Sequence, residues 1–375
     1  MPNSNTQPVD DALVAALRLS LIAGVGPRIH QQLLTHFGTA AAVLRAPVSE
    51  LRQVPGVGPK LSRSIATSAD EVDVDIELQI CRDNDVGILR PTDDRYPRML
   101  KEIDDPPSVL FMAGDVLPQD ALSVAIVGSR HATHYGLQTA ERLSAGLARA
   151  GFTIVSGLAR GIDTAAHRGA LNAGGRTIAV LGSGVLNVYP PEHKELALDI
   201  SHNGALISEA PPRRGPMSGA FPQRNRLITG LSLGTIVVEA SERSGALISA
   251  RHAMEQNREV FAVPGRIDSR MSKGCHQLIR DGAKLVQSID DVLEEFGPLV
   301  EATSTEDGHT VRHPAELQLN EQEQQVLDAI SSEPTEIDEV AATSGLPVHR
   351  VLSTISVLEM RRLIRRASGH QVARV

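Results

Sequence analysis

Three short clusters carry most of the chemistry this sequence can offer. Gly128-Ser129-Arg130 follows a β-branched run at 124–127, and Ser156-Gly157-Leu158-Ala159-Arg160-Gly161-Ile162-Asp163 follows a second such run at 153–155. Each turn leads into a helical pattern. Backbone amides at a helix start carry partial positive charge, small residues let a bound group approach them, and Arg130 and Arg160 add full charges. The ligand this predicts is an anion, with phosphate first. The third cluster is Phe221-Pro222-Gln223-Arg224-Asn225-Arg226. Its ring can stack on a base, its guanidinium groups can hold phosphates, and the Asn225 amide can bond a base edge. The plainer alternative is a turn in which Asn225 caps a helix and Phe221 fills a gap. Shortly after, Ser244-Gly245-Ala246-Leu247-Ile248-Ser249 opens a further helix with free amides.

The acids and histidines point elsewhere. Asp163 and Glu239 sit at strand ends, where a general acid or base would be placed. A phosphate-binding cleft gains nothing from bare negative charge, so both are read as orienting turns or arginines, and no catalytic residue is assigned. His167 and His276 are read as structural or surface residues. Cys81 and Cys275 lack metal-ligand spacing and read as reduced thiols, so no metal is expected.

These clusters need a scaffold, and the pattern supplies one. Strand-like runs at 124–127, 153–155, 177–181, 205–207, 235–238, 259–263 and 284–286 alternate with helical patterns at 134–150, 164–173, 192–202, 247–256 and 273–280. Regular alternation specifies an α/β fold with a doubly wound, mostly parallel sheet. Ligands of such sheets sit beyond the carboxyl ends of the strands. There the sequence places Gly128, Ser129, Arg130, Ser156, Gly157, Gly182, Ser183, Gly184, Ser208, Glu209, Glu239, Pro264, Gly265 and Arg266. No Gly-x-Gly-x-x-Gly follows the first strand and no Gly-Lys-Ser/Thr loop is present, so no dinucleotide or nucleoside triphosphate cofactor is expected. Residues 84–115 mix strand-like runs with prolines and are expected to extend or cover the sheet edge.

The flanks differ in character. Ala23-Gly24-Val25-Gly26-Pro27-Arg28 returns as Pro55-Gly56-Val57-Gly58-Pro59-Lys60, each between helical patterns. Gly-x-Gly permits a sharp turn and Pro starts the next helix. Such hairpins resemble helix-hairpin-helix modules, which either approach a DNA phosphate or serve as scaffold; Arg28 and Lys60 are the residues to test. After Gly297 the chain turns polar, and 298–318 is expected to be a linker. Helical patterns at 321–330, 335–342 and 348–361, then a hairpin at 363–375, outline a winged helix. Its third helix would read a groove through His349 and Arg350, with Val351, Leu352, Ile355 and Leu358 as core. Arg361, Arg362, Arg365 and Arg366 follow. Protein contact is the alternative use of such a module.

With 375 residues, more than one domain is expected, and the divisions read as 1–75, 76–297, 298–318 and 319–375. No apolar run approaches the ~20 residues of a membrane span, and the polar N-terminus lacks the pattern of a secretory signal, so a cytoplasmic protein is expected. The net charge of −8 argues against a bulk basic nucleic-acid binder. Its distribution matters more: 211–284 holds ten Arg and two Lys against six acids, consistent with one basic face.

Together, Gly128-Ser129-Arg130, Ser156 to Asp163, Phe221-Pro222-x-Arg224-Asn225-Arg226 and Ser244 to Ser249 resemble the DNA-processing protein A (DprA/Smf) family. Pro264-Gly265 and the run from Gly274 to Ala283 extend the resemblance across 94–296, although many members have Asn where Cys275 stands. The resemblance implies a Rossmann-like domain that binds and protects single-stranded DNA and helps load the RecA recombinase during natural transformation. It also implies a homodimer and no catalytic activity. Carried onto this chain, Arg130 would hold a phosphate and Phe221 would meet a base. Arg224 and Arg226 would line the same groove, and Ser129, Gly157, Gly182 and Gly184 would offer amides. Arg160 would contact phosphate or pair with Asp163.

Two rivals remain. Nucleotide phosphoribohydrolases share this type of sheet and carry Pro-Gly-Gly-x-Gly-Thr-x-x-Glu; here Gly234-Thr235 precedes Glu239, without the leading Pro-Gly-Gly and one residue further apart. A scaffold that presents RecA is the other, with Leu278, Ile279, Leu285 and Val286 near the last strand as candidate dimer residues.

Overall fold

The computed structural model describes residues 10–296, 303–304, 310–311, 321–331, 333–360, 363–367 and 370–374. Arg361, Arg362 and most of the 298–318 linker lie outside this set. The centre is a nine-stranded sheet: β1 (Gly87–Leu89), β2 (Leu110–Gly114), β3 (Ser123–Val127), β4 (Thr153–Ser156), β5 (Thr177–Val180), β6 (Gly204–Ser208), β7 (Gly234–Val237), β8 (Glu259–Ala262) and β9 (Lys284–Leu285). Their order is β1-β2-β6-β5-β4-β3-β7-β8-β9. From β6 to β9 every pairing is parallel, while β2 runs against both of its neighbours. All residues of β3, β4, β5, β6 and β7 are buried, as strands covered by helices on both faces must be. The segment before β3 extends the sheet edge with β1 and β2.

The chain winds outward from β3 through β4, β5 and β6, then returns to lay β7 on the other side of β3. The reversal opens a crevice at the carboxyl ends of β3 and β7, where doubly wound sheets bind ligands. One apolar layer contains Val124, Ile126, Leu143, Leu147 and Phe261; the opposite layer contains Ala125, Val127, Leu227, Ile228 and Ala250.

Both glycine turns in the N-terminal part form hairpins. Gly24 and Gly56 adopt φ of +95° and +84°, and Pro27 and Pro59 begin helices Pro27–Phe37 and Pro59–Ala66. Helix Asp11–Leu21 belongs to two cores at once. Leu19 packs with Leu33, Val43 and Ile65 of the hairpins, while Leu13 and Leu17 pack with Phe111, Ala179 and Leu181 of the sheet unit.

The C-terminal unit has helices Glu321–Asp328, Ile337–Ser344 and Val348–Met360, and a sheet in which Gln371–Arg374 lies between Thr335–Glu336 and Ile364–Arg366. Two expectations change here. Thr335 pairs with Val372 in the sheet, and the helix expected over 335–342 runs Ile337–Ser344. Leu352 is 41% exposed, whereas Val351, Ile355 and Leu358 are core. Among the described residues, no helix is long and apolar enough to cross a membrane.

Candidate nucleic-acid interface

The crevice at the strand reversal is a cleft of about 400 Å³. Gly128, Ser129, Arg130 and His131 after β3 form one side, and Ser241, Ser244, Gly245 and Ile248 after β7 form another. The third wall is helix Ala220–Gly230, through Phe221, Pro222, Arg224, Asn225 and Ile228. The 221–226 segment is therefore the first turn and a half of a helix, not a turn. Its side chains consequently separate by face.

Phe221 and Arg224 share the cleft side. The Arg130 guanidinium carbon lies 5.5 Å from the Phe221 ring centre, that of Arg224 lies 6.0 Å away, and the Tyr189 ring lies 5.6 Å away at 51°. Arg130 is exposed and Arg224 is buried. Arg224 Nη1 donates to the carbonyl of Gly157 at 2.6 Å and to that of Val180, tying the helix to the ends of β4 and β5. Burial lowers the Arg224 pKa to about 10, opposed by the nearby Asp163 carboxylate. Burial likewise pushes the Asp163 carboxyl above its usual range, opposed by the charge of Arg224. Asp163 accepts from the amides of Gly157 and Ala159, which orients the turn as the sequence suggested.

Arg226 does not line this cleft. It projects from another face of the helix and pairs with Glu209 at 2.5 Å and Asp105 at 3.1 Å. Arg160 pairs with Glu192 at 2.6 Å rather than with Asp163. The glycines also act differently from the expectation of free amides. The Gly157 amide serves Asp163, and the Gly184 amide donates to the Arg214 carbonyl at 2.9 Å. A Cβ on Gly157 would stand 2.5 Å from the Arg224 guanidinium, and one on Gly182 would stand 2.8 Å from the Phe221 ring. These two positions are small because side chains of the opposite wall occupy the space above them.

The remaining candidates divide in the same way. Ser129 Oγ accepts from the His131 amide, Ser156 Oγ donates to the Ile126 carbonyl, and Ser183 Oγ donates to the Asn187 carbonyl. Asn225 Nδ2 donates to the Gly245 carbonyl at 3.4 Å and joins two walls of the cleft. Glu239 accepts from Thr133 through its amide and its hydroxyl, at 2.8 and 2.6 Å. His167 is fully buried against Thr177. Leu278 and Val286 lie in the sheet cores; of the candidate dimer residues, Leu285 is exposed. Tyr189 was not singled out from the sequence. The available signal was scarcity, since the chain has three Tyr, six Phe and no Trp, and Tyr189 is exposed.

Residues 87–297 match the family model of DNA recombination-mediator protein A, more than half of the chain. The chain belongs to this family. The flanks of the recombination-mediator unit match two further models. Residues 311–370 match the DprA winged helix domain, and residues 16–71 match a SAM-like helix-hairpin-helix tandem. Protein Smf of Synechocystis is 33% identical over 96% of this chain and 98% of its own. The DNA processing protein DprA of Streptococcus pneumoniae is 48% identical over 54% of this chain and 72% of its own. The X-ray structure of the pneumococcal protein superposes with a TM-score of 0.65 at 37% identity, covering 77% of this chain and 99% of that one. DNA processing protein A from Helicobacter pylori, whose structure concerns its single-stranded DNA binding mode, superposes with a TM-score of 0.51 at 30% identity, covering 60% and 97%.

Proposed function

We propose that this recombination mediator holds single-stranded DNA in the cleft between Arg130 and Phe221, without catalysing a reaction on it. The observation that carries this is the pairing of an exposed Arg130 with an aromatic ring 5.5 Å away at the switch point of the sheet. A ring supplies a face for any base, and the arginine supplies charge for the adjoining phosphate, which gives binding with little sequence preference. Gly128, Ser129, Ser244 and Gly245 keep the cleft walls low enough for a backbone to enter. Arg224 supports Phe221 from below, and Arg226 holds the far side of the same helix in place.

The use of the acids supports the non-catalytic reading: both oxygens of Glu239 bind Thr133, and Asp163 accepts from two amides. Delivery of the strand to RecA, protection of incoming DNA and function as a homodimer complete the proposal, supported by family membership. The deciding experiment is competition between single- and double-stranded DNA for the full chain and for its Arg130→Ala/Phe221→Ala variant. Preferential capture of single strands by the wild type, lost in the variant, is expected. Equal or preferential binding of duplex by the wild type, or a variant that captures single strands as the wild type does, would reject the cleft as the binding site.

A further inference from the structure

Helix Ala220–Gly230 has a second cavity behind it. This one, about 220 Å³, lies between the first hairpin turn and the carboxyl end of the sheet. Val25, Gly26 and His30 of the hairpin face Glu209, Arg214 and Gln223 across it. Arg224 lines both this cavity and the Arg130–Phe221 cleft, so one side chain separates the two.

We propose that this cavity is a second base subsite on the same DNA strand, with the first helix-hairpin-helix turn as its outer wall. The proposal rests on the single-strand reading of the adjoining cleft. Its volume equals roughly seven waters, which suits a nucleobase rather than a whole nucleotide. Pro27, Pro106 and Met217 offer apolar faces for a ring. The polar content suits a base edge. His30 is 93% buried, and its Nε2 has no hydrogen-bond partner among the described residues. Burial lowers its pKa to about 4, so at neutral pH the ring is uncharged and offers a base edge a hydrogen bond rather than a charge. His30 lines the space, and a rotation of its ring would bring the unsatisfied Nε2 to a base edge held there. Glu209 faces the same space, with its Oε1 held by Arg226.

The adjoining phosphate also has a place. Gly24 takes φ +95°, and Gly26 and Pro27 at the start of the helix Pro27–Phe37 line the cavity, which places that end of the helix at its edge. Arg214 stands exposed on the opposite side. The wall is fixed: Gln31 Nε2 bonds the Asp104 carbonyl, and Leu13 and Leu17 are part of the sheet unit's core. The hairpin unit thus contributes to a single-strand path instead of acting as a separate duplex binder.

The test uses the full chain with single-stranded oligonucleotides carrying 4-thiothymidine at successive positions, irradiated and mapped by peptide mass. Two variants accompany it: His30→Phe, which keeps the bulk and removes the ring nitrogens, and Gly215→Leu. Gly215 lines the cavity, and a Cβ there meets nothing within 4 Å, so the position accepts a Cβ freely and puts added bulk at the cavity's edge. Expected are cross-links both near 221 and within 20–30 or 106–109, depending on probe position. Both variants should melt as wild type does, bind oligonucleotides of about four nucleotides normally, and bind longer ones about tenfold more weakly. Cross-links confined to the Phe221 side, with both variants binding long strands normally, would overturn the subsite and leave the cleft standing. Equal competition by free deoxynucleoside monophosphates would overturn the strand path in favour of a small-molecule site. Failure of wild type to bind any single strand would reject the cleft itself.

Discussion

Arg224 Nη1 is bonded to the Gly157 carbonyl at 2.6 Å while its guanidinium carbon stands 6.0 Å from the ring centre of Phe221, three residues earlier on the same helix. One side chain therefore anchors the helix to the sheet and forms the floor under the aromatic ring. Arg224 and Arg130 are consequently not equivalent cations, although the sequence offers both as phosphate ligands.

Replacing Arg224 by Ala should destabilise the fold by about 3–5 kcal/mol, because Asp163 would remain buried without its compensating charge. Arg224→Lys should recover only part of the loss, since the compact ammonium is more strongly hydrated than a guanidinium and costs more to bury. Urea unfolding of the two variants measures this; wild-type midpoints in both would exclude an anchoring role.

Arg130→Ala should leave stability within about 0.5 kcal/mol of wild type, because the side chain is exposed. Its effect belongs in DNA binding. The slope of log affinity against log salt for single strands should become shallower by about 0.7, the contribution of one phosphate contact. An unchanged slope across a salt titration would remove Arg130 from the phosphate path.

Phe221→Ala should weaken single-strand binding by about 1–3 kcal/mol, and Phe221→Trp should preserve it. Gly182→Ala should produce a weaker version of the same defect without touching DNA, since its Cβ would lie 2.8 Å from the Phe221 ring and displace it. Fluorescence anisotropy on a labelled oligonucleotide distinguishes the three.

Acid should destabilise the protein through two histidines. Burial lowers His30 to about 4 and His167 to about 3, from 6.5. The folded state keeps both neutral, while the unfolded state takes up protons below pH 6.5. Stability should thus be complete above pH 6.5 and decline from there to about pH 3, at up to about 1.4 kcal/mol per pH unit for each group. In His167→Gln and His30→Phe, the slope of stability against pH over that interval should flatten.

Glu239→Gln should lower stability by about 1–3 kcal/mol through its bonds to Thr133 and should abolish no reaction. Incubation of wild type with nucleoside monophosphates should release no free base. Base release that disappears in Glu239→Gln would instead establish a phosphoribohydrolase-type enzyme.

The alternation of β-branched runs with helical periods determines the doubly wound sheet, because strands covered on both faces must be continuously apolar while helices need a 3.6-residue stripe. The two Gly-x-Gly-Pro repeats determine the hairpins through positive φ and proline's fixed one. Arg130, Phe221 and the small residues at strand ends were legible for the same reason: residue type and position along a strand are local properties. What only the tertiary structure decided is which partner each charge meets. Helix Ala220–Gly230 turns Arg224 toward Gly157 and Phe221 but Arg226 toward Glu209 and Asp105. Arg160 finds Glu192, 32 residues away, instead of Asp163 nearby. The joining of the hairpin unit to the sheet through Leu13 and Leu17 was equally invisible, since both read as ordinary apolar positions of one amphipathic helix. Such pairings depend on long-range approach of elements, which no spacing within the chain encodes. They turn two apparent arginine ligands into one anchor and one internal ion pair, and leave the exposed Arg130 beside Phe221 at the cleft.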